Sequence, residues 1–600
     1  MIQISNHAAI PFSGWKRTTV SEKPPFEAGV FADGTKFVLV SQQGLSTWVV
    51  DICPSLMRPD ERRTYFFDDA SPCTISVDPL PSEPLALFGV PTLNGVPFEL
   101  EDLKQEGAGY RLQMKRRIGR MFLVRIWAIY RPSEPGLMTC EALIVASNGN
   151  VPDLTEQTPQ EGLVIQWGNA LCHVAGRWIT NVLVPPGETF ADGMARGFNF
   201  QLVWPALIEQ QNNYLFGTMS GLVSACGQTK LYPQGNPVYS TSFRARDWVA
   251  ARFMESLRRL HTWEPGVCGW NPRSADAGAQ DDQIFVRGER LLPGGEGAEI
   301  VAYNSALKVL NRPCHHLEHS GVFADSNVHP NCMFWWGRPH KALPDRLGKV
   351  DGLDTDSGIS YGWAGPDDEH WFYNTLFAAS RLTGSDILQW EMSQQAHIFL
   401  FQETLPSQAG KAGWFTTNSR SARSVGWACL LAVYLYENLA DRVLAERVKE
   451  RIKARIREVY VVQLGPREVW DPRLDVPSLG PGLRWMPWQQ AVGAYGLDVA
   501  SKYFGVVEGI PVALAAAKKV LQDAVLTKFG RWVAMDIQTV EGSLTETPNT
   551  FFLFGFPLAA ATVLKHEPQN MRAVSIWNQM VGDAQASGST SWIPPEFTSF

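Results

Sequence analysis

Asp247-Trp-Val-Ala-Ala-Arg-Phe-Met-Glu-Ser-Leu-Arg-Arg-Leu260 is the stretch on which the fold turns. Its apolar residues Val249, Phe253, Leu257 and Leu260 recur at the spacing of one helix face. Upstream the texture is different. Lys36–Ser41, Leu45–Val50, Met121–Tyr130, Glu141–Ala146, Trp178–Val184 and Phe198–Trp204 are short runs rich in Val, Ile, Phe and Thr, separated by Gly, Pro and Asn. Such runs predict antiparallel sandwiches, and a sandwich of ~100 residues makes two domains fit this half better than one. The polar, turn-rich stretch between Pro132 and Gln160 is the natural divide. Downstream, helix-sized periodic segments are expected at Asp368–Leu382, Asp386–Leu400, Ser421–Leu439, Asp441–Val462, Trp488–Phe504, Ile510–Phe529 and Thr550–Lys565. Seven or more helices joined by loops carrying Trp, Gly and Pro suit a ring of helical hairpins better than a four-helix bundle.

Bulk numbers agree with a folded, multidomain chain. Of 600 residues 45% are apolar and 19% charged, with 40 Pro and 51 Gly, which excludes a coiled coil or a disordered chain. A net charge of -7 without a basic block argues against nucleic acid as a partner. The N-terminus has no basic start followed by an apolar run, and later apolar windows such as Ser424–Leu435 are too short to cross a bilayer. The expectation is a soluble chain without an export signal or membrane contact, cytoplasmic by default, its oligomeric state left open. Nine scattered cysteines without a C-x-x-C pair read as reduced structural thiols. No Walker P-loop, Rossmann glycine fingerprint, H-E-x-x-H or G-x-S-x-G elbow is present, so no cofactor is called for; Ca²⁺ is compatible with the chemistry, but no motif asks for it.

The basic helix Asp441–Val462 carries Arg442, Arg447, Lys449, Arg451, Lys453, Arg455 and Arg457. It reads as a solvated outer helix, with Val443, Val448, Ile452, Ile456 and Val459 as a buried stripe and Glu446 and Glu450 offsetting the bases. An anion-binding strip is the alternative.

Chemistry-bearing residues gather in the helical half, which holds 16 of the 22 tryptophans and, between His261 and His397, eight of the 11 histidines. The sharpest stretch is Tyr361-Gly-Trp-Ala-Gly-Pro-Asp-Asp-Glu-His-Trp-Phe-Tyr-Asn374. Pro366 followed by three carboxylates marks a helix start, where acids complement the dipole. On that helix Asp367, His370 and Asn374 follow i, i+3, i+7 with Tyr373 beside them, so a carboxylate, an imidazole, an amide and a phenol share one side. A carboxylate beside an imidazole fixes its tautomer and raises its basicity, as a general base requires. Tyr361, Trp363 and Trp371 bring aromatic surface to the same helix. Asn418, Arg420 and Arg423 precede an apolar helix, where arginines either clamp a carboxylate or pair with nearby acids. Trp485, Trp488 and Gln489 open a further helix in the manner of a sugar platform, and Glu546 lies in a polar loop. His315, His316, His319 and His329 with Glu318 match no metal-binding spacing; they are expected to be structural or, like His329, to touch substrate, with no metal.

Three stretches carry a resemblance. Asp368-Glu-His-Trp-Phe-Tyr-Asn-Thr-Leu-Phe-Ala-Ala-Ser-Arg-Leu-Thr-Gly384 is similar to the D-x-H helix and Leu-Thr-Gly turn of the exo-rhamnogalacturonan lyase-like family. Gly193–Val203 resembles the strand closing that family's second β-domain, and Arg423-Ser-Val-Gly-Trp427 the opening of a later helix. The resemblance implies N-terminal β-domains ahead of an (α/α) toroid. The fold expected is therefore multidomain β + α: β-sandwich-type domains over residues 1–140 and 141–245, and a toroid over 246–600.

The first function expected is a poly- or oligosaccharide lyase cleaving a uronate-containing glycan by β-elimination. That reaction needs a clamp for the carboxylate, a base for the C5 proton and an acid for the leaving oxygen. Arg420 or Arg423 with Asn418 would clamp, His370 oriented by Asp367 would be the base, and Tyr373 or Tyr361 the acid. Trp363, Trp371, Trp485 and Trp488 would stack on sugar rings, with Asn374, Gln489, His329 and Glu546 as further contacts. A glycoside hydrolase is the alternative, using two carboxylates drawn from Asp356, Asp367, Asp368, Glu369 and Glu546. A non-catalytic glycan-binding or virion structural protein is the third reading.

Overall fold

The computed structural model describes most of residues 15–146, short strands at 2–6 and between 156 and 227, pieces at 306–328 and 376–383, most of 384–464, positions 468 and 470, and most of 487–537, 544–546 and 556–587. An antiparallel β half precedes a helical half.

A five-stranded sheet is built around β1 (Lys16–Val20), β2 (Lys36–Gln43) and β3 (Thr47–Cys53), in the order β1-β3-β2 followed by Ala28–Val30 and Ser71–Pro72. In the β2–β3 turn Gly44 has φ +70°, and a Cβ there would lie 2.0 Å from the Glu437 carbonyl oxygen of the helical half. Glycine is thus required both by backbone conformation and by close approach.

The second, seven-stranded sheet contains β4 (Glu99–Glu106), β5 (Gly109–Ile118), β6 (Phe122–Tyr130), β7 (Leu137–Ala146) and β8 (Ala195–Val203) in that order, then Leu171–Val174 and Arg177–Ile179. Its strands come from both sides of residue 140. β6 and β7 are buried along nearly their whole length and read as continuous apolar runs, as strands covered on both faces do. β4 is the exposed edge, and its Glu-Leu-Glu-Asp-Leu-Lys-Gln-Glu sequence and bulge at Leu100/Asp102 guard it against further pairing. The expected run Trp178–Val184 is two strands: Arg177–Ile179 joins this sheet, whereas Val182–Val184 pairs with Leu163–Gln166 in another.

The helices are α1 (Asp386–Gln402), α2 (Ala422–Asn438), α3 (Arg442–Arg455), α4 (Pro487–Phe504), α5 (Gly509–Asp523), α6 (Phe556–His566) and α7 (Met571–Ser587). α3 runs into a π-turn at Ile456–Tyr460. The helix expected to reach Phe529 stops at Asp523. Val525–Lys528 (β9) folds back on Arg531–Ile537 (β10) through a turn with Gly530 at φ +76°, and Leu544–Glu546 (β11) pairs with β10. Of the Asp368–Leu382 segment, Leu376, Phe377 and Ser380 are described; all three are helical and buried. Asp247–Leu260 lies outside the described residues.

α3 corrects the expected stripe: Val443 is 75% exposed, and Leu444, Ala445, Val448 and Ile452 form the buried face. Its bases do more than meet solvent. Arg442 donates to the carbonyls of Tyr436 and Leu439 at the end of α2, and Arg451 to those of Leu400 and Glu403 at the end of α1. The last carbonyls of a helix lack intrahelical partners, so guanidinium donors satisfy them.

The seven-stranded sheet and the helices share one hydrophobic core, whereas the five-stranded sheet packs its own around Phe31, Phe37, Val50 and Ile52. Glu141 on β7 accepts hydrogen bonds from Ser385 Oγ (2.7 Å) and from the backbone N–H groups of Asp386 (2.7 Å) and Ile387 (3.1 Å), capping α1 from another element. Arg111 on β5 forks onto Asp386 at the same place. Among the described residues no helix is long and apolar enough to cross a membrane.

Candidate functional site

α2 and α4 lie closer together than side chains normally allow. A Cβ on Gly426 would lie 2.2 Å from the Val492 carbonyl oxygen, one on Gly493 2.5 Å from that of Ala422, and one on Gly496 2.3 Å from that of Gly426. Ala422 therefore faces Gly493 and Gly426 faces Gly496, so the two helices run parallel. Their described ends at Ala422 and Pro487 lie side by side. Pro487, whose ring suits the first helical position, begins α4.

Arg423 in the first turn of α2 and Trp488 in the first turn of α4 meet there. The Arg423 guanidinium carbon stands 5.5 Å from the Trp488 ring centre, within cation–π range, and both side chains keep partial exposure. Gln489 beside them is buried. A planar cationic fork and an indole face form a surface suited to a ligand that is flat on one side and anionic on another.

A buried scaffold holds this rim from behind. Gln490 pairs twice with the Trp470 backbone: Trp470 N–H donates to Gln490 Oε1 (2.9 Å) and Gln490 Nε2 donates to the Trp470 carbonyl (2.6 Å). Trp470 Nε1 donates to the Tyr460 carbonyl (2.9 Å), and Tyr460 Oη donates to Glu403 Oε2 (2.7 Å), which also pairs with Arg455 Nε (2.9 Å). The π-turn that carries Tyr460 sets this register, and such turns gather near functional sites. Trp470 and Gln490 were missed in the sequence because a single Trp in a polar stretch and a glutamine inside an apolar helix give no periodic signal. Burial, with added repulsion from Glu403, pushes the nearby Cys429 thiol well up, so it stays protonated and is no nucleophile.

Of the residues singled out in the sequence, the structure brings together Arg423 and Trp488, with buried Gln489 next to Trp488 in the chain. Glu546 lies in β11, in register with Met535. His370, Tyr373, Tyr361, Asp367, Arg420, Trp363, Trp371, Asn374, Asn418, Trp485 and His329 lie outside the described residues, as do His316 and His319. His315 is fully buried, with Nε2 2.7 Å from Glu391 Oε2, while Gln395 donates to the other oxygen of that carboxylate. Among the described residues no group of three or more His, Cys, Asp and Glu is placed to hold a metal.

A second polar cluster sits toward the other end of α4. Buried Asp498 lies 2.6 Å from His566 Nε2, 3.5 Å from Lys502 Nζ and 3.9 Å from Lys565 Nζ. Ten residues of helix place it about 15 Å along the axis from Trp488. Lys565 and His566 form the last turn of α6, where cations complement the dipole, so the cluster serves as a clasp between α4 and α6. No protein-family model matches the chain, and comparison with curated proteins gives no match.

Proposed function

We propose that the chain is a carbohydrate-active lyase that cleaves a uronate-containing poly- or oligosaccharide by β-elimination, on a helical ring that completes an (α/α) toroid beside β-sandwich domains. The observation that carries this reading is the Arg423–Trp488 pair between the parallel helices α2 and α4. A uronate presents a flat sugar face and a carboxylate on one ring, and these two side chains complement both features. The antiparallel course of α1 beside α2, set by Gln389 near the Asn438 carbonyl, supports alternating inner and outer helices.

In this mechanism Arg423, with Arg420 and Asn418, neutralises the carboxylate and lowers the cost of negative charge at C5. His370, oriented by Asp367, takes the C5 proton. The C4–O bond breaks as the C4=C5 double bond forms, and Tyr373 or Tyr361 donates a proton to the leaving oxygen. Trp488 with Trp485, Trp363 and Trp371 holds the rings, while Gln489, Asn374, His329 and Glu546 add polar contacts. No cofactor takes part in this scheme. A panel of uronate polysaccharides tests it. Products with near-ultraviolet absorbance from the unsaturated ring are expected; a new reducing end without that absorbance means hydrolysis, and binding without turnover means a glycan-binding protein.

A further inference from the structure

The short hairpin closed by the Leu317–Phe323 bridge is fastened to both halves of the molecule. On the sheet side, Arg117 Nη2 donates to the Glu318 carbonyl (3.3 Å) and Arg125 Nη2 to that of Gly321 (3.1 Å). Gly321, at φ +85°, is pressed onto β6, where a Cβ would stand 2.9 Å from Leu123 Cδ2. On the helical side, Phe323 packs on Trp390 and His397 of α1, and Asp325 receives a two-pronged fork from Arg447 of α3 (2.6 and 2.8 Å). His397 Nδ1 is buried without a hydrogen-bond partner, 3.9 Å from Asp325 Oδ2.

We propose that this hairpin is an acid-released latch between the seven-stranded sheet and helices α1 and α3, with His397 as the sensor and the Asp325–Arg447 pair as the bolt. The groups that face His397 are Asp325 from the hairpin, Arg447 from α3 and Asp441 at the α3 N-terminus. Burial disfavours the imidazolium most; the two carboxylates favour it and Arg447 opposes it, and the balance holds His397 below the ordinary histidine range. A gap of 3.9 Å is too long for a hydrogen bond, so a protonated His397 gains one only if Asp325 moves toward it and out of the Arg447 fork.

The sign follows from the lowered value. The closed hairpin binds fewer protons than the open one, so closure is complete above about pH 6.5, the ordinary histidine value, and is lost as pH falls through the lower value of the closed form. Asp325 remains ionised throughout, its own value being about 2. His315, near the start of the hairpin, pairs with Glu391 and stacks on Trp390 away from Asp325, so changing His397 alone separates the two histidines.

Hydrogen exchange followed by mass spectrometry, corrected for intrinsic rates, tests the latch on the full chain. From pH 7.5 to 5.0, protection over residues 317–328 is expected to fall severalfold, with a ceiling of about 30-fold set by the ordinary histidine value of 6.5. His397→Gln and His397→Phe, with native near-ultraviolet circular dichroism, are expected to keep their neutral-pH protection at pH 5.0. Asp325→Asn is expected to be poorly protected at both values. Unchanged wild-type protection, or an equal fall in the His397 variants, overturns the proposal. So does a wild-type His397 titration by NMR at or above the ordinary value, a readout that needs no variant.

Discussion

Glu141 shows how one side chain sets the join between two layers. It stands on a strand, yet it satisfies the first N–H groups of α1 and the hydroxyl of its N-cap Ser385, 244 positions away in the chain. Glu141→Ala removes these acceptors and exposes buried donors, a change expected to cost about 1–3 kcal/mol. A denaturant midpoint lowered without a change in slope checks it. Asp325 makes a second prediction at this scale. With a folded value of about 2 against an ordinary 3.8, its contribution to stability is complete above about pH 4 and is lost as pH falls toward 2. In Asp325→Asn that part of the acid limb, followed by circular dichroism, is expected to flatten.

Among elements, the α2–α4 contact has the clearest physical origin and was only half legible. Helical periodicity marks both segments, but nothing in it says that Gly426, Gly493 and Gly496 form a shared seam; that depends on a partner helix some 70 positions distant in sequence. An exposed helical Gly→Ala change stabilises by up to about 1 kcal/mol. Here the new methyl meets backbone oxygen, which does not move aside as a side chain does. Gly496→Ala is therefore expected to be net destabilising, by about 1–3 kcal/mol, measured by thermal or chemical unfolding. Other elements were misread for local reasons. Val525–Lys528 continues the apolar pattern of α5, and the turn at Gly530 after it is what makes it a strand. Val443 fits the helical stripe, yet the α3 face that packs on its neighbours is rotated toward Leu444 and Ala445.

For the whole molecule, the seven-stranded sheet and the helices share a core that no local pattern announces. Period-two and helical repeats separate the two textures well, and they identify a β half before a helical half. They are silent on docking, because Arg111–Asp386, Glu141–Ser385 and the Gln43–Ser380 hydrogen bond join residues hundreds of positions apart. The candidate site was legible to the same extent: aromatic and ionisable residues mark Arg423, Trp488 and Gln489, whereas the Trp470–Gln490 support depends on tertiary contact. Joined in this way, α1 and strands β5–β7 are expected to fall in the same slow class of amide exchange. Release of α1 well before the strands would contradict a common core.

The central claim is that the Arg423–Trp488 rim receives an acidic sugar for elimination. Its most direct test is the initial rate of near-ultraviolet absorbance on the uronate polysaccharide that the wild-type chain cleaves fastest, compared with Arg423→Ala. The wild-type protein is expected to generate unsaturated product and Arg423→Ala to lose about 10²–10³-fold of that rate while keeping its fold, the loss typical of removing one donor that stabilises developing charge. Absence of unsaturated product on every acidic glycan, or an unchanged rate in Arg423→Ala, would contradict it.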